Sequence, residues 1–483
     1  MRLVLLGPFG LRPKMTMARR ALPLARALSA RGHDVRVVLP PWDCPQDSGR
    51  IWQEDGVEVV NVRLPPRLPP LDHLWLTARL LRAALRFHPR VIHCFKPKGV
   101  AGLAAAALWA LQRLRLWRGR LVVDADDWEG WGGWNEIGGY SWMQRHFFAW
   151  QEQWGLRHCD AVTVASRWLE QRVGEMRGRR GGVWYVPNGV EQDAGSKEQG
   201  AGSKKQEGTR AFKGSKVRRF ESSRLTAHGV YATWNLEPSN LQLVLLYTRF
   251  VEFEVERVVG IWRRVVELCK VAREQGRKGA RAQGRKVAEE QRSKGAGVRL
   301  LVVGEGFRGE ERELARLAVE AGLGDSVDII GWVEAEELSR FFAVADVAMM
   351  PVDDTILNRA RCPARLLDLM AAGLPVVTEA VGEYGHIVED GVSGLVVSSG
   401  DEEAFAAAVV RLLQDANLRQ RMGQAAQHRV RTAFAWSHLV EAVEAAYFQP
   451  PTSNLQLPTS NFQLPTSNFQ SPSLILCVLV SSW

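Results

Sequence analysis

Residues 1–40 read MRLVLLGPFGLRPKMTMARRALPLARALSARGHDVRVVLP, and this stretch decides the fold class. Residues 1–7 form one short apolar run, residues 17–32 carry apolar side chains at helical spacing, and residues 33–40 form a second apolar run. Two short apolar runs with a helical pattern between them are typical of a strand–helix–strand unit, which makes parallel strands. The stretch therefore predicts a parallel sheet with helices on its faces.

The same alternation continues along both halves of the chain. In the first half, the further runs that predict strands are RVIHCF (90–95), LVVDADD (121–127), DAVTVAS (160–166) and VWYVPNG (183–189). In the second half, they are LVLLYTRF (243–250), RLLVVGEG (299–306), VDIIG (327–331), VAMMP (347–351), PVVTE (375–379) and GLVV (394–397). We therefore predict an α/β protein with two doubly wound, Rossmann-like domains over 1–190 and 241–433, followed by a closing helix over 434–448.

Three segments break this alternation, namely 191–240, 273–297 and 449–483. The first two are basic and rich in small polar residues, and the third repeats the letters PTSN three times. Such segments cannot bury enough apolar surface to offset the loss of chain entropy, so we expect them to be disordered. The first also falls where a linker between the two domains is expected.

Composition narrows the class of protein. The chain has 483 residues, of which 46% are hydrophobic, with a net charge of +10 and a pI of about 9.5. A basic chain favours anionic partners, but its basic segments lack interleaved aromatic residues, so we predict no nucleic-acid partner and leave open a peripheral contact with anionic lipid at the inner face of the membrane. Six scattered cysteines and the absence of an apolar run of roughly 18–20 residues predict a reduced, cytoplasmic protein without structural zinc or a membrane span.

The stretch CPARLLDLMAAGLPVV (362–377) is the strongest candidate for a ligand site. Pro363 suits the first position of a helix, and the free amides and dipole of a helix N-terminus attract anions. Arg365 adds a positive fork for a phosphate, and Asp368, three residues later, shares its helix face and could accept the hydroxyls of a ribose. Gly373 then ends the helix. The alternative interpretation is an Arg–Asp surface pair on a well-capped helix.

Gly304, Gly306 and Gly309 in GEGFRG match the letters of a dinucleotide fingerprint. The match alone is weak evidence, because the motif opens the second strand of its domain rather than the first. A nicotinamide-dependent oxidoreductase would also need an acidic residue at the end of the next strand, and VDIIG instead runs into Trp332. A phosphate-binding or close-packing turn is the preferred interpretation.

Taken in order, VPNGV (186–190), the strand ending in Arg249, VVGEG (302–306), IIGWV (329–333), ADVAMMP (345–351), CPARLLDLMAAGLPVV and VEDGVSGLVV (388–397) resemble the retaining glycosyltransferases of family 4. The resemblance covers nearly the whole chain apart from the insertions and the tail. It implies the GT-B fold, in which two Rossmann-like domains face a cleft and the second domain holds most of a sugar nucleotide.

The resemblance assigns roles to residues of the second half. It implies that Arg249 and Arg365 meet the donor diphosphate, that Leu366 lies in the same binding segment and that Asp368 binds ribose. The lysine that the family usually places a few residues after Arg249 is absent, and the first glutamate of the family's pair falls at Ala360.

Asp354 or Asn358 is the expected replacement for that glutamate. Gly304 and Gly306 would approach the donor, and Trp332 and Val333 would pack beside the nucleotide base. For Trp332, a place in the core is the alternative.

In the first half, the loop from Gly7 to Gly10 with Lys14 resembles the family's glycine loop near the donor phosphates and the acceptor, with an ordinary strand–helix turn as the alternative. His93, taken as the end of the strand VIH, stands where the family often carries a histidine near the reacting sugar, although it could equally be a packed strand histidine. Lys96 and Lys98 follow on a loop, where they could meet an anionic group.

DADDWEGWGGWNEIGGYSW (124–142) places Asp126 and Asp127 at a strand end, followed by four tryptophans and a tyrosine. Ligands collect at strand ends in α/β proteins, and aromatic rings can stack on sugars, so we include Asp127 among the substrate-binding candidates. A core filled with tryptophan under a loop is the alternative. We predict no metal site.

The resemblance therefore implies transfer of a sugar from a UDP- or GDP-linked donor to an acceptor hydroxyl with retention of configuration. The catalytic candidates are His93, Arg249 and Arg365, no cofactor is expected, and the acceptor could be a glycan, a lipid-linked sugar or a small molecule. A non-catalytic sugar-nucleotide binder is the first alternative, and the NAD-dependent oxidoreductase is the second.

Overall fold

The computed structural model describes residues 1–12, 16–66, 68, 71–178, 181–191, 241–282 and 297–449. These residues fall into two compact units. The first unit contains the described residues up to 191, together with 355–362 and 434–449, and the second contains 241–354 and 363–433. The division differs from the expected continuous domain over 241–433, because the segment Thr355–Cys362 belongs to the first unit.

Each unit is built on one sheet. The strands are β1 (Arg2–Leu6), β2 (Asp34–Leu39), β3 (Ile51–Glu54), β4 (Val57–Asn61), β5 (Val91–Phe95), β6 (Arg120–Ala125), β7 (Ala161–Val164), β8 (Val183–Tyr185), β9 (Leu241–Tyr247), β10 (Gly297–Val303), β11 (Val327–Gly331), β12 (Val347–Met350), β13 (Val376–Glu379) and β14 (Gly394–Val397). The helices are α1 (Leu22–Ala30), α2 (Leu71–Leu85), α3 (Gly99–Arg113), α4 (Trp134–Ile137), α5 (Trp142–His158), α6 (Arg167–Arg177), α7 (Val255–Ala282), α8 (Glu310–Glu320), α9 (Leu338–Val344), α10 (Ile356–Ala360), α11 (Ala364–Ala371), α12 (Tyr384–Ile387), α13 (Glu402–Gln414), α14 (Ala416–Ala433) and α15 (Trp436–Phe448).

The sheet of the first unit has the order β3-β4-β2-β1-β5-β6-β7-β8, with every pair parallel except β3 and β4. A π-helical turn, Met17–Ala21, leads into α1. Apolar side chains of α1 and α15 cover one face of this sheet, whereas α2, α3, α5 and α6 cover the other. Both faces of a parallel sheet must be covered, because the strands carry apolar side chains on both sides.

The antiparallel pair β3–β4 was not anticipated from the sequence. Its turn is Asp55–Gly56, and both residues have positive φ, 48° and 81°. Asp-Gly between two strands is a strong signal for a two-residue hairpin, because a turn of this type needs positive φ at both positions. The signal was therefore present in the sequence.

The sheet of the second unit has the order β11-β10-β9-β12-β13-β14, and all its strands are parallel. Its largest apolar cluster lies between the sheet and helices α7, α8 and α13, with Trp262 and Phe405 among the fully buried side chains. The predicted strands of this half match β9 to β14 in type and order.

One expected boundary was wrong. Helix α7 continues to Ala282, although we expected disorder from residue 273 onwards. The segment 273–282 is rich in Arg, Lys, Glu, Gln and Ala, which are good helix formers, and extending an existing helix needs no new nucleus. The rest of that insertion, the segment 191–240 apart from residue 191, and the tail from residue 450 lie outside the described residues.

Candidate active site

The carboxyl end of the second sheet contains the point at which the strand order reverses. The chain passes from β9 to β10 and β11 on one side, and then to β12 on the other. In open parallel sheets, ligands bind at such a switch point, beyond the carboxyl ends of the strands. The residues that follow β9 are therefore the first place to look for a site.

A tight turn, Thr248–Glu252, follows β9. The Thr248 hydroxyl donates to Glu252 Oε2 at 2.8 Å and accepts from the Phe250 amide at 2.8 Å, and the Val251 amide donates to Glu252 Oε2 at 3.1 Å. Phe250 has φ of 61°, so these side-chain bonds hold a backbone that an apolar residue rarely adopts. The turn fixes the direction in which Arg249 leaves the sheet.

Gly304, at the end of β10, lies against this turn. Its φ is 128°, and a Cβ atom there would lie 1.8 Å from the Thr248 carbonyl oxygen. Only glycine fits such an approach. Gly304 is therefore needed for packing, and the expectation that it approaches a donor remains a prediction.

Arg365 and Arg249 both lie around the Thr248–Glu252 turn. Arg365 Nη1 is 3.6 Å from Glu252 Oε1, and its guanidinium carbon is 5.2 Å from the centre of the Tyr247 ring. The guanidinium of Arg249 stacks 4.9 Å from the centre of the Phe307 ring. Arg365 Nε is buried with no hydrogen-bond partner among the described residues. The structure thus places Arg365 against the turn that carries Arg249.

The start of α11 differs in detail from the expectation. The helix begins at Ala364, and Pro363 is the preceding residue, whose carbonyl accepts from the Leu366 amide at 3.1 Å. Proline fits there because its own amide is not needed by the helix. The Leu366 side chain is fully buried, so it packs in the core rather than towards a ligand, while Asp368 is half-buried. Asp368 lies three residues after Arg365, as expected.

Acidic side chains of α8 accept hydrogen bonds from backbone amides of the glycine motif that precedes this helix. The Gly306 amide donates to Glu311 Oε2 at 3.1 Å, and the Arg308 amide donates to Glu310 Oε2 at 2.8 Å. A Cβ atom at Gly306 would lie 2.0 Å from the Glu310 carboxylate. Because carboxylates already satisfy these amides, this helix start supports the close-packing interpretation and counts against a dinucleotide pyrophosphate.

Trp332 and Val333, which follow β11, differ in their exposure to solvent. Trp332 is 54% exposed and Val333 is 6% exposed, so the tryptophan is available to a ligand and the valine belongs to the core. The Trp332 indole donates to Glu334 at 3.3 Å. The alternative of a core tryptophan is therefore wrong.

The positions proposed for the missing glutamate lie in different units. Ala360 is fully buried in the apolar core of the first unit, and its carbonyl accepts from the Ser166 hydroxyl at 2.6 Å. Asn358 is also buried in the first unit, where its backbone N–H donates to the Thr355 hydroxyl at 3.2 Å. Asp354 belongs to the second unit.

His93 lies inside the first unit. Strand β5 continues to Phe95, as the run RVIHCF (90–95) predicted, so His93 lies inside the strand and does not end it. Its Nδ1 accepts from the Tyr447 hydroxyl at 2.8 Å, its Nε2 donates to the Thr163 hydroxyl at 3.0 Å, and Thr163 donates to Asp124 at 2.5 Å. Arg20 holds the same carboxylate at 2.7 and 2.8 Å. Burial lowers the pKa of His93 to about 4, so this arrangement favours the packed, neutral strand histidine.

A cluster of buried charges follows β5 and β6. Lys96 Nζ lies 3.1 Å from Asp126, 2.7 Å from Asp127 and 3.3 Å from Glu129, and Lys98 Nζ lies 2.8 Å from Glu129. The positive charges that we expected to meet an external anion are therefore used by the protein's own carboxylates. Asp127, the substrate-binding candidate, is one of those carboxylates.

The cluster shifts the pKa values of its members. Burial opposes the charge of Lys96, but the three carboxylates outweigh it and hold the Lys96 pKa well above its usual value. Burial, together with the neighbouring Asp127, raises the pKa of Asp126 to about 7. Burial and the nearby Glu129 raise the pKa of Glu152 to about 8. A carboxyl group that is taken from water without full compensation prefers its neutral form.

The glycine loop of the first unit is only partly described. Gly10 is buried, and a Cβ atom there would meet Pro41 at 3.4 Å. Lys14 lies outside the described residues. The proposed role of this loop therefore stays a prediction.

Comparison with known proteins decides the family. The model described as "Glycosyl transferase 4-like domain" matches residues 16–189, and the model "Glycosyl transferases group 1" matches residues 268–415. The chain belongs to the group 1 glycosyl transferases.

A D-inositol 3-phosphate glycosyltransferase of Geodermatophilus obscurus is 33% identical over 136 residues, which is 28% of this chain and 28% of the relative. The lipopolysaccharide core biosynthesis glycosyltransferase LpsE of Rhizobium meliloti is 31% identical over 154 residues, 32% of this chain and 41% of the relative. The matches thus span well under half of these relatives.

Solved structures agree with the predicted GT-B fold of this glycosyl transferase. Sucrose-phosphate synthase from Thermosynechococcus elongatus aligns with 93% of this chain and 99% of its own, with a TM-score of 0.61 and 18% identity. The lipopolysaccharide glycosyltransferase WaaG aligns with 92% of this chain and 100% of its own, with a TM-score of 0.53 and 16% identity. At such identities the likeness concerns the fold, and the prediction of two doubly wound domains is confirmed.

Two features of the described residues concern membranes and metal ions. Within the part of the chain that the structure describes, no helix combines the length and the apolar character needed to span a membrane. Among the same residues, no three or more His, Cys, Asp or Glu side chains are grouped as they would be to hold a metal ion. The absence of a metal requirement remains a prediction.

Sequence reasoning missed three residues around the second-unit arginines. Glu252, Tyr247 and Phe307 contact Arg365 or Arg249, yet only the arginines were proposed. Glu252 could have been found, because a carboxylate three residues beyond a strand-end arginine can close the turn that carries it. The stacking rings had no such signal, because they come from different segments of the chain.

Proposed function

We propose that this chain transfers a sugar from a nucleoside-diphosphate sugar to an acceptor hydroxyl, with retention of the anomeric configuration. One observation carries the proposal most strongly: Arg249 and Arg365 lie around one turn at the switch point of the second sheet. Two guanidinium groups at such a place suit the diphosphate of a donor better than a neutral ligand.

In this proposal, the arginines act on the leaving group. Breaking the glycosidic bond leaves negative charge on the diphosphate, and fixed positive groups stabilise that charge more than they stabilise the intact donor. The half-buried Asp368 would accept the ribose hydroxyls from its position one turn along the same helix. Trp332, being 54% exposed, would pack beside the base.

We infer front-face substitution, in which the acceptor oxygen attacks as the diphosphate departs and its proton passes to the departing phosphate. This route needs no carboxylate nucleophile, and the carboxylates at the end of the first sheet are held by Lys96 and Lys98. A glycan, a lipid-linked sugar or a small molecule are all compatible acceptors.

We further propose that the reaction needs no metal and no cofactor, because the arginines supply the positive charge at the leaving group. The preferred donors are UDP sugars, with GDP sugars as the second choice. The solved structures of Anabaena Alr3699/HepE, 14% identical to this chain, contain UDP or UDP-glucose, which agrees with this choice. Transfer should accordingly survive an excess of EDTA.

The proposal is tested by calorimetric titration of the full chain with UDP, GDP, ADP and NAD. We expect one nucleoside diphosphate to bind, and Asp368→Ala to weaken it by roughly tenfold, as for the loss of a charge-assisted hydrogen bond. Proton NMR of the product from the matching sugar nucleotide would then report the configuration. Binding of NAD alone would overturn the transferase proposal.

A non-catalytic sugar-nucleotide binder is the second candidate, and a specific observation favours it. Ala360, which replaces the first glutamate of the family's pair, is buried in an apolar core and offers no polar group. If a donor binds but is neither transferred nor hydrolysed during prolonged incubation with sugar acceptors, this second candidate holds.

A further inference from the structure

Arg257, in the first turn of α7, has no role in the proposed reaction. Residues 251–256 read VEFEVE, so Arg257 is the first positively charged residue that follows Arg249 in the sequence. The positive end of a helix dipole repels a cation in the first turn, and the Arg257 side chain is only 12% exposed. An arginine at such a position needs carboxylates that outweigh both costs.

Two carboxylates of the second unit compensate the charge of Arg257. Its Nη1 donates to Asp353 Oδ1 at 2.6 Å, and its Nη2 donates to Glu379 Oε1. Burial opposes the charge of the guanidinium, but its hydrogen bonds with Glu379 and Asp353 hold the Arg257 pKa above the usual value. Arg257 is therefore held between two segments that are distant in the sequence.

Glu379, the last residue of β13, joins the ends of three neighbouring strands. Its side chain is fully buried. Besides Arg257, it accepts from the Val352 amide, which follows β12, and from the Gly400 amide, which follows β14, each at 2.7 Å. Strands β12, β13 and β14 are adjacent in the sheet. Because a buried carboxylate that loses a donor is costly, this arrangement fixes Arg257 against the carboxyl edge of the sheet.

Asp353 connects Arg257 to the Thr248–Glu252 turn. The Asp353 backbone amide donates to the Glu252 carbonyl oxygen at 2.8 Å, at the end of that turn. The second carboxylate oxygen of Asp353, Oδ2, accepts from the Glu254 amide at 2.7 Å. The segment that leads from the turn into α7 is therefore bound to Asp353 at two points. Arg257 fixes the Asp353 side chain that makes one of them.

We propose that Arg257 is a positioning residue for the donor diphosphate: through Asp353, it holds the Thr248–Glu252 turn in the geometry that directs Arg249 and Arg365. The inference rests on the proposed function, in which these two arginines contact the diphosphate. The turn keeps an apolar residue at positive φ, so contacts from outside must maintain it. Positive groups that are already fixed stabilise a leaving group without reorganising when its charge develops.

The test uses the full chain and whichever of UDP and GDP it binds more tightly by calorimetry. Arg257→Met should weaken that binding by roughly tenfold, because the turn loses its support. Arg257→Lys, which can keep an ion pair with one of the two carboxylates, should recover most of the loss. Hydrogen exchange followed by mass spectrometry without nucleotide should be faster by roughly tenfold or more across residues 248–254 of Arg257→Met.

A second variant keeps the proposal testable if Arg257→Met does not fold. Asp353→Ala retains the pair between Arg257 and Glu379 and removes the connection to the turn, and the Asp353 side chain is 24% exposed, so the change is milder. It should weaken nucleotide binding by a similar factor. Combining Asp353→Ala with Arg257→Met should weaken binding no further, because both changes break one connection. Losses that multiply would overturn the proposal.

The matched control is Arg264→Met, which breaks another ion pair of the same helix. Arg264 lies about two turns further along α7, where its Nη1 is 2.7 Å from Glu402 Oε2. This variant should leave both the affinity and the exchange of residues 248–254 unchanged, and an equal effect would reduce Arg257 to general support of α7. Faster exchange with full affinity would likewise remove its role at the diphosphate.

Failure of the inference and failure of the proposed function give different results. If the unaltered chain binds neither UDP nor GDP, the proposed function fails, together with the role of Arg257 at a diphosphate. If the unaltered chain binds one of them but Arg257→Met binds it equally well and exchanges at the same rate, the inference alone is wrong. Weaker binding, faster exchange and rescue by Arg257→Lys together would support both.

Discussion

The charged side chains at the carboxyl ends of the two sheets differ in how fully they are paired. In the first unit, Lys96 lies within 3.3 Å of three carboxylates, and the lysine is 8% exposed. In the second unit, Arg365 lies 3.6 Å from one carboxylate, Glu252, and its Nε is buried without a hydrogen-bond partner among the described residues. The charges of the first arrangement are nearly all paired with one another, whereas the Arg365 guanidinium of the second is paired only in part.

This difference separates a stabilising cluster from a binding site, although both lie where α/β proteins bind ligands. Buried charges with their partners in place satisfy one another and leave little for a ligand, and removing one partner is costly. A guanidinium that is only partly paired gains more from an incoming phosphate. The comparison predicts opposite results for substitutions at the two places.

The largest effect should come from Lys96→Met, which leaves buried carboxylates without their cation. We expect a loss of about 3 kcal/mol in the free energy of unfolding, with no change in nucleotide affinity, because the second unit is untouched. Chemical unfolding and calorimetry measure the two quantities. Lys270→Met, at an exposed lysine of α7, is the control and should change stability by less than about 0.5 kcal/mol. Weaker nucleotide binding by the Lys96 variant would break the comparison.

Arg365→Ala should behave in the reverse manner. Loss of a charge-assisted contact to the diphosphate should weaken nucleoside diphosphate binding by roughly 10–100-fold, while the unfolding midpoint stays close to that of the unaltered protein. Arg312→Ala is the matched control, because Arg312 is an exposed arginine of α8 in the same unit. If the control lowers affinity as much as Arg365→Ala, the two arginines around the turn have no special role.

The sequence was sufficient for the fold because the alternation of apolar runs and helical patterns is local. Strands β9 to β14 fall on the runs that predicted them, and the order of motifs along the chain indicated the family. The return of Thr355–Cys362 to the first unit could not be predicted, because it depends on contacts with distant residues such as Ser166. The Asp55–Gly56 hairpin was predictable and was missed.

The candidate site was predictable only in part, for a related reason. Arg249 and Arg365 stand at strand and helix ends that sequence patterns locate well. Whether a charge is already paired depends on residues that fold next to it. For that reason Lys96 was misjudged as available and the two interpretations of His93 could not be separated, whereas both residues are held by partners inside the first unit. Letters alone also made Gly306 resemble a phosphate site that Glu311 fills.

A smaller effect should come from the raised pKa of Glu152, about 8 in the folded protein against an ordinary value of 4.5. The folded state keeps this proton where the unfolded chain has lost it, so its contribution to stability is present below about pH 4.5 and is lost as the pH rises to about 8. Glu152→Gln cannot ionise and retains an acceptor for the Glu129 amide. We expect the variant to be clearly more stable than the original at pH 9 and nearly equal to it at pH 5. Unfolding curves at both pH values measure this, and an equal difference at both would contradict burial as the cause.

The smallest effect should come from Glu311→Gln at the start of α8. This variant distinguishes the start of α8 from the start of α11, both in the second unit. The carboxylate accepts from the Gly306 amide and lies at the positive end of the helix, so losing its charge should cost about 0.5 kcal/mol, less at high salt. Nucleotide affinity should stay unchanged, because the diphosphate is expected at Arg249 and Arg365. If a phosphate instead competed with Glu311 for these amides, removing the negative charge would strengthen nucleotide binding. Thermal unfolding and calorimetry of this one variant therefore distinguish a helix start that is closed by its own side chain from one that awaits a ligand.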